Sequence, residues 1–216
     1  MFDPASALPK SKRRTLWAAI LALNIPFWLY FVVVGRPEAT VWLAVMLFMA
    51  FAYSLRGLRY REVPGLDSFT SAFHYTSPFI FGVLFGGGDN FWIPASLAFF
   101  MWAMANHALG AIRSIASDRQ AKVDSIATKL GAENTLLVCL SLYLVAAVLP
   151  VAYYGWKGVF VAVVLGWYVV LCLALIPFRK RDEHHTFYKA WRVLARMNYI
   201  TGVLITGYLL FLHHLT

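Results

Sequence analysis

Apolar residues in this chain run on in long unbroken stretches rather than alternating with polar ones. Seven stretches stand out, roughly Thr15–Val34, Glu38–Tyr53, Asp67–Phe85, Phe91–Ile112, Asn134–Tyr154, Lys157–Pro177 and Met197–Leu215. A hydrocarbon core of ~30 Å needs about 20 helical residues to cross it, and most of the stretches reach that length. Inside lipid every backbone N–H and C=O must be paired internally, which leaves helices or closed barrels. Barrel strands alternate apolar and polar positions, and these stretches do not. The pattern predicts an all-α membrane protein, a bundle of about seven transmembrane helices. The spans fill residues 1–216 as a single domain and leave no room for a soluble one.

Composition agrees. The chain has 216 residues, is 61% hydrophobic and has a mean hydropathy of +0.66, against about 45–50% apolar residues in a soluble domain. The net charge of +9 would suggest nucleic acid in a soluble protein. Its distribution points instead to topology and to attraction by anionic inner-leaflet lipid. Of the 19 Lys and Arg residues, all but Arg36 and Lys157 fall in the N-terminal segment and in alternate connections. Cytoplasmic loops retain Lys and Arg. Residues 1–14 therefore form a basic cytoplasmic segment, the N-terminus is inside and the C-terminus is outside. The first span is too long for a cleaved signal and lacks a convincing cleavage site, which favours an uncleaved anchor. Cys139 and Cys172 lie within spans without metal-like spacing and read as small core residues.

The outer turns are short, at Gly35-Arg36-Pro37, Gly86–Asn90 and Gly155-Trp156-Lys157. The Gly-rich one lacks the Gly-Lys-Ser/Thr ending of a phosphate loop and reads as a plain turn. The inner connections, Ser54–Leu66, Arg113–Glu133 and Arg179–Arg196, are longer and richer in polar residues, which concentrates function at the cytoplasmic face. In the last of them Phe187, Trp191 and Leu194 recur at helical spacing opposite Lys189, Arg192 and Arg196, which predicts a helix lying in the interface. Trp and Tyr near the span ends form an interfacial belt. Pro26, Pro94 and Pro150 are expected to kink or break spans. No repeat supports an inverted-repeat transporter.

Three clusters carry candidate chemistry. Tyr53, Ser54, Arg59 and Arg61 sit at a span end, followed by Asp67. Two guanidinium groups there suit a phosphate through paired charge-assisted hydrogen bonds, or they are simply charges that set topology. Asp118, Arg119, Lys122 and Asp124 follow Arg113 and Ser114. Hard cations such as Mg2+ take oxygen ligands and bridge carboxylates to phosphates. Asp118 and Asp124, six apart, are about 120° from alignment on a helix. An Asp118–Lys122 pair on a solvated helix is the alternative. His74 and His107 are ionisable groups within spans, either functional or bonded to a neighbouring helix. His184-His185 and His213-His214 are adjacent pairs that point apart on a helix. The seventh span has no Lys for a retinal Schiff base.

The order of these motifs resembles the UbiA superfamily of intramembrane prenyltransferases. The residues that carry the likeness are Tyr53-Ser54, Arg59-x-Arg61 and Pro64-x-x-Asp67, then Ile112-Arg113-Ser-Ile-x-x-Asp118-Arg119, then Ser125-Ile-Ala-Thr-x-Leu-Gly131. Pro64–Ser68, His107–Ile112 and Ile126–Thr128 look most like the lycopene elongase branch, and Tyr188–Trp191, Asn198–Ile200 and Gly202 also fit. The likeness implies nine spans and two aspartate motifs, each binding Mg2+, that together hold a prenyl diphosphate. Diphosphate departs, an allylic cation forms, and an electron-rich hydrophobic acceptor in the bilayer, here a carotenoid such as lycopene, attacks it. Burial would exclude water from the cation, and aromatic faces could stabilise it.

By the same likeness Asp118 is the catalytic residue, as a ligand of the second metal. Arg59, Arg61, Tyr53, Ser54, Arg113 and Lys122 would hold the diphosphate, and Asp67, His107 and Asp124 are secondary candidates. The chain departs from the pattern where Ser114 stands for an Asp, Lys122 for a Gly and Arg56-Gly57 for paired prolines. The first aspartate motif is missing, so the chain is expected to begin just after it, near Phe2-Asp3-Pro4, with seven spans in place of nine. The alternative is a non-catalytic relative that scaffolds or completes another membrane enzyme through a protein partner.

Overall fold

A computed structural model describes residues 9–55, 57–88, 92–178 and 184–214. Residues 1–8 of the expected basic N-terminal segment, Arg56, residues 89–91 and residues 179–183 lie outside the described residues, as do the side chains of His184, His213 and His214.

Among the described residues eight helices follow one another: α1 (Lys10–Val34), α2 (Pro37–Ser54), α3 (Leu66–Gly86), α4 (Ile93–Ile112), the short α5 (Ile115–Gln120), α6 (Ile126–Tyr154), α7 (Trp156–Leu175) and α8 (His184–His214). A 3-10 turn, Tyr60–Glu62, sits between α2 and α3. Among the described residues six helices are long and apolar enough to cross a membrane: Lys12–Val34, Pro37–Ser54, Ile93–Ile112, Ile126–Tyr154, Trp156–Phe178 and His185–Leu212. The seventh expected span is present as α3, 21 residues long. Its apolar content is diluted because its inward face is polar: Asp67, Ser68, Thr70, Thr76 and Ser77 are all buried.

The core lies where α4, α6, α7 and the first half of α8 meet. Ala105, Ala108 and Leu109 of α4 pack with Leu136, Cys139 and Tyr143 of α6 and with Leu165, Tyr168 and Cys172 of α7. Small residues let the backbones of α4 and α6 approach closely, and Cys139 Sγ lies 3.5 Å from the carbonyl oxygen of Ala105. The two cysteines are buried core residues, as their setting in the sequence suggests. By contrast α1 keeps none of its apolar window buried; Phe31 touches Phe81 and Phe85 edge-on.

Three expectations are corrected. The interfacial helix predicted over residues 187–196 is the first part of α8, continuous with the last span. Its apolar face turns into the bundle, with Phe187 and Leu194 buried in the core, while Lys189, Arg192 and Arg196 remain exposed. The span expected from Asn134 begins at Ile126, and Gly131 (φ 74°, ψ 170°) interrupts it. A residue with a side chain rarely adopts that backbone conformation. Finally, Pro94 falls in the first turn of α4 rather than inside it, where its missing N–H leaves no helical bond unmade.

Alternating helix directions gather the outer turns at one end. Gly87, at φ 74°, lies so close to Arg36 that a Cβ there would sit 2.5 Å from the guanidinium carbon. Ala95 N donates to Tyr154 Oη at 3.0 Å. The first two inner connections meet at the opposite end, and there the bundle opens.

Candidate functional site

A cavity of about 570 Å³ opens at that end. The 3-10 turn contributes Arg61 and α3 contributes Asp67, Ser71 and Tyr75. Trp102, Asn106, His107 and Gly110 come from α4, and Arg113, Ser114 and Asp118 from its C-terminal turn and α5. Trp191, Leu194, Asn198 and Tyr199 of α8 close the other wall. Trp102 lies eleven residues before Arg113 on α4, so the cavity reaches ~16 Å along the helix from its charged mouth.

Arg113 follows the last residue of α4. Its guanidinium lies 3.8 Å from the ring centroid of Trp191, close enough for a cation–π contact. Trp191 in turn packs against Gly110, where a Cβ would stand 3.6 Å from the indole. Arg113 Nε is buried and has no hydrogen-bond partner among the described residues. Ser114 Oγ lies 2.7 Å from Asp118 Oδ2 and also reaches the carbonyl oxygen of Ala111 at 3.0 Å. The Asp118–Lys122 pair expected on a solvated helix is not formed, because the helix ends first. Lys122 takes a left-handed conformation (φ 54°). Lys122 N bonds to the carbonyl of Arg119 and Val123 N to that of Asp118, the paired bonds of a Schellman ending. Lys122 and the exposed Asp124 do not line the cavity.

Arg59 and Arg61 are both tied to Glu62, at 2.7 Å and 3.4 Å from Oε1. Arg61 lines the cavity and Arg59 does not. Tyr53 and Ser54 also stand away from it; Tyr53 packs edge-on against His74, with centroids 5.6 Å apart. Asp67 reaches the cavity wall, yet both its oxygens serve the backbone. Oδ1 accepts from Gly65 N at 2.9 Å and Oδ2 from Ile126 N at 3.0 Å. Ser125 completes the start of α6. Its hydroxyl accepts from Thr128 N, and Thr128 Oγ1 accepts from Ser125 N, so the Ser-x-x-Thr motif is a reciprocal helix cap. His107 bonds its neighbouring helix through Nδ1, 3.0 Å from Ser68 Oγ.

Deeper in the cavity Trp102 stands edge-on to Tyr168, which stacks on Tyr143. Tyr168 Oη donates to Asn198 Oδ1 at 2.9 Å and lies 2.9 Å from Thr201 Oγ1, so α7 fixes the polar positions of α8. The arrangement puts two guanidinium groups and one carboxylate at the mouth and aromatic surface below. It suits a ligand with an anionic head and an apolar tail.

The sequence profile of the UbiA prenyltransferase family matches residues 7–211. The chain belongs to the UbiA prenyltransferase family. Among curated proteins it is 33% identical over 204 residues to a C(50) beta-cyclic carotenoids biosynthesis protein, LbtBC, of Dietzia, covering 93% of this chain and 47% of that protein. It is 32% identical over 214 residues to a lycopene elongase/hydratase of Corynebacterium glutamicum, covering 97% and 73%. A lycopene elongase/hydratase of Haloferax volcanii matches at 32% over 115 residues, 53% of this chain and 38% of that one. The chain thus spans about half of the Dietzia protein and about three quarters of the Corynebacterium one. No solved structure matches the chain.

Within this UbiA chain, no three His, Cys, Asp or Glu side chains converge among the described residues. Of the two carboxylates lining the cavity, only Asp118 is not held by backbone N–H groups. Mg2+ is commonly bound by one or two carboxylates together with substrate phosphates. The donor set therefore fits a metal shared with a phosphate ligand and not one caged by protein alone. Sequence reasoning passed over Glu62, Trp102, Asn106 and, as a partner of Arg113, Trp191. Asn106 had a signal, a polar residue in the middle of an apolar run; the pairing of Arg113 with Trp191 crosses 78 positions and had none.

Proposed function

We propose that this protein transfers a prenyl group from a prenyl diphosphate to a hydrophobic acceptor in the bilayer, a carotenoid such as lycopene. The observation that carries the reading is the single cavity that joins Arg61, Arg113 and Asp118 at its mouth to the aromatic surface of Trp102 and Trp191. Arg61 and Arg113 bind diphosphate oxygens through charge-assisted bonds, and the buried Arg113 Nε gains the acceptor it lacks. Asp118 would hold Mg2+ jointly with those oxygens, and the ion when bound neutralises charge on the departing diphosphate. The cavity walls exclude water while the allylic cation exists, and Trp191 and Trp102 present π faces or edges to it. The asymmetry of Lys and Arg supports a mouth that faces the cytoplasm. The test is membranes carrying the chain, supplied with dimethylallyl diphosphate, lycopene and Mg2+. Elongated carotenoid with release of diphosphate is expected, and its absence overturns the reading.

A second reading rests on the sparse donor set, one available carboxylate among the described residues of the cavity. In it the chain is a non-catalytic subunit of a membrane enzyme. Co-purification with a relative that supplies the activity would support it, and turnover by this chain alone would remove it.

A further inference from the structure

The polar groups midway down the cavity have no part in gripping diphosphate. His107 lies six residues before Arg113 on α4, ~9 Å from the mouth along the axis. Its Nδ1 is held by Ser68 Oγ at 3.0 Å. Ser68 is fully buried on α3 and does not line the cavity, whereas His107 does. The Nε2 edge is therefore the one left to face the cavity. In the tautomer that donates Nδ1–H to Ser68 Oγ, Nε2 carries the lone pair. Asn106 stands beside it on the cavity wall. Its Nδ2 donates to the carbonyl of Trp102 at 2.9 Å, which fixes the orientation of the amide. Its Oδ1 is buried and has no donor among the described residues. Asp67, the acidic group packed nearest on α3, has both oxygens engaged by backbone N–H groups, so it does not compete for the imidazole.

This placement matters for how a prenyl transfer ends. When the C–O bond to diphosphate breaks, the leaving group takes the electron pair. An acceptor double bond then forms the new C–C bond and leaves a tertiary cation on the acceptor. That cation must be discharged. Either an adjacent C–H bond gives its pair to a new double bond and releases a proton, or water adds and the resulting oxonium releases one. Each route needs a proton acceptor in a region away from bulk water. The geometry points to His107 as that acceptor, with Ser68 as the residue that positions its ring. This rests on the prenyl-transfer reading above. Nε2 takes the proton.

The test uses the full chain in membranes with dimethylallyl diphosphate, lycopene and Mg2+. It reads carotenoid products alongside the affinity for an unreactive thio-analogue of the diphosphate. General-base catalysis contributes about 100-fold or more. His107→Gln is expected to lower elongated product by about tenfold or more while analogue affinity stays within about threefold, and added imidazole should restore part of the rate. Ser68→Ala, which keeps the ring but frees it, should slow product formation several-fold at unchanged analogue affinity. Product from His107→Gln at the wild-type rate and ratio would overturn the proposal. So would loss of analogue binding in step with product, which would mark His107 as structural. A wild-type chain that never consumes the prenyl diphosphate in the presence of lycopene removes the prenyl-transfer reading along with this one, a result distinct from any confined to the variants.

Discussion

Asp67 at the start of α3 accepts a hydrogen bond from Ile126 N at the start of α6, 3.0 Å away. The carboxylate is almost fully buried. It satisfies a helix N-terminal N–H and places negative charge at the positive end of the α6 dipole. Its other oxygen closes the Gly65 turn. One side chain thus ties the turn before α3 to the start of α6.

Asp67→Ala leaves two backbone donors without that acceptor. Each buried unsatisfied group costs about 1–3 kcal/mol, so a loss of about 2–4 kcal/mol is expected. Thermal unfolding of the detergent-purified chain would show it, and an unchanged midpoint would mean the strap contributes nothing.

How much of this was legible in the sequence follows from the range of the forces involved. Apolar run length fixes a span locally, so six helices and the added length of α3 could be read directly. The Ser125-Ile-Ala-Thr128 cap is also local, and its spacing was visible. The inward turn of Phe187 and Leu194 was not, because an amphipathic face suits a bilayer surface and a bundle core equally well. Nor was it legible that Arg59 and Lys122 stand off the cavity, for a related reason: a basic residue near a span end looks the same whether it faces a cavity, an adjacent Glu62 or solvent. Arg61, Arg113, Asp118, Asp67 and His107 do meet at one cavity, and the remaining candidates stand outside it.

Lys122 occupies a left-handed position at the end of α5, where a side chain carries a steric cost of about 1–2 kcal/mol. Lys122→Gly is expected to raise stability by roughly 1 kcal/mol. Because Lys122 stands off the cavity, affinity for a prenyl diphosphate analogue should stay within about twofold in the same variant. A large fall in affinity would return Lys122 to the diphosphate-binding set.

Glu62 Oε1 pairs with both Arg59 and Arg61, and under the proposed function it competes with a diphosphate oxygen for Arg61. Exposed pairs of this kind contribute about 1 kcal/mol or less to stability. Glu62→Gln should therefore leave folding intact and tighten analogue binding about threefold to tenfold at low salt, with the gain shrinking as ionic strength rises. Weaker binding would show that Glu62 aligns the guanidinium groups rather than competing for them.

Trp191 holds Arg113 by its ring face at 3.8 Å. Trp191→Leu removes a cation–π contact of about 1 kcal/mol, so analogue affinity should fall about fivefold, measured by isothermal titration. Unchanged affinity would mean that Arg113 is held by the backbone of α4 alone.

The central claim is that Arg61 and Arg113 grip one diphosphate at the mouth of a membrane-embedded cavity. Its most direct test is titration of the purified chain with an unreactive prenyl diphosphate in Mg2+, comparing the wild type with Arg61→Ala and Arg113→Ala. Charge-assisted bonds contribute about 1.5–3 kcal/mol each, so each variant should bind about tenfold or more weakly, while a prenyl alcohol of the same length binds all three alike. Diphosphate affinity unaffected by either substitution would contradict the account.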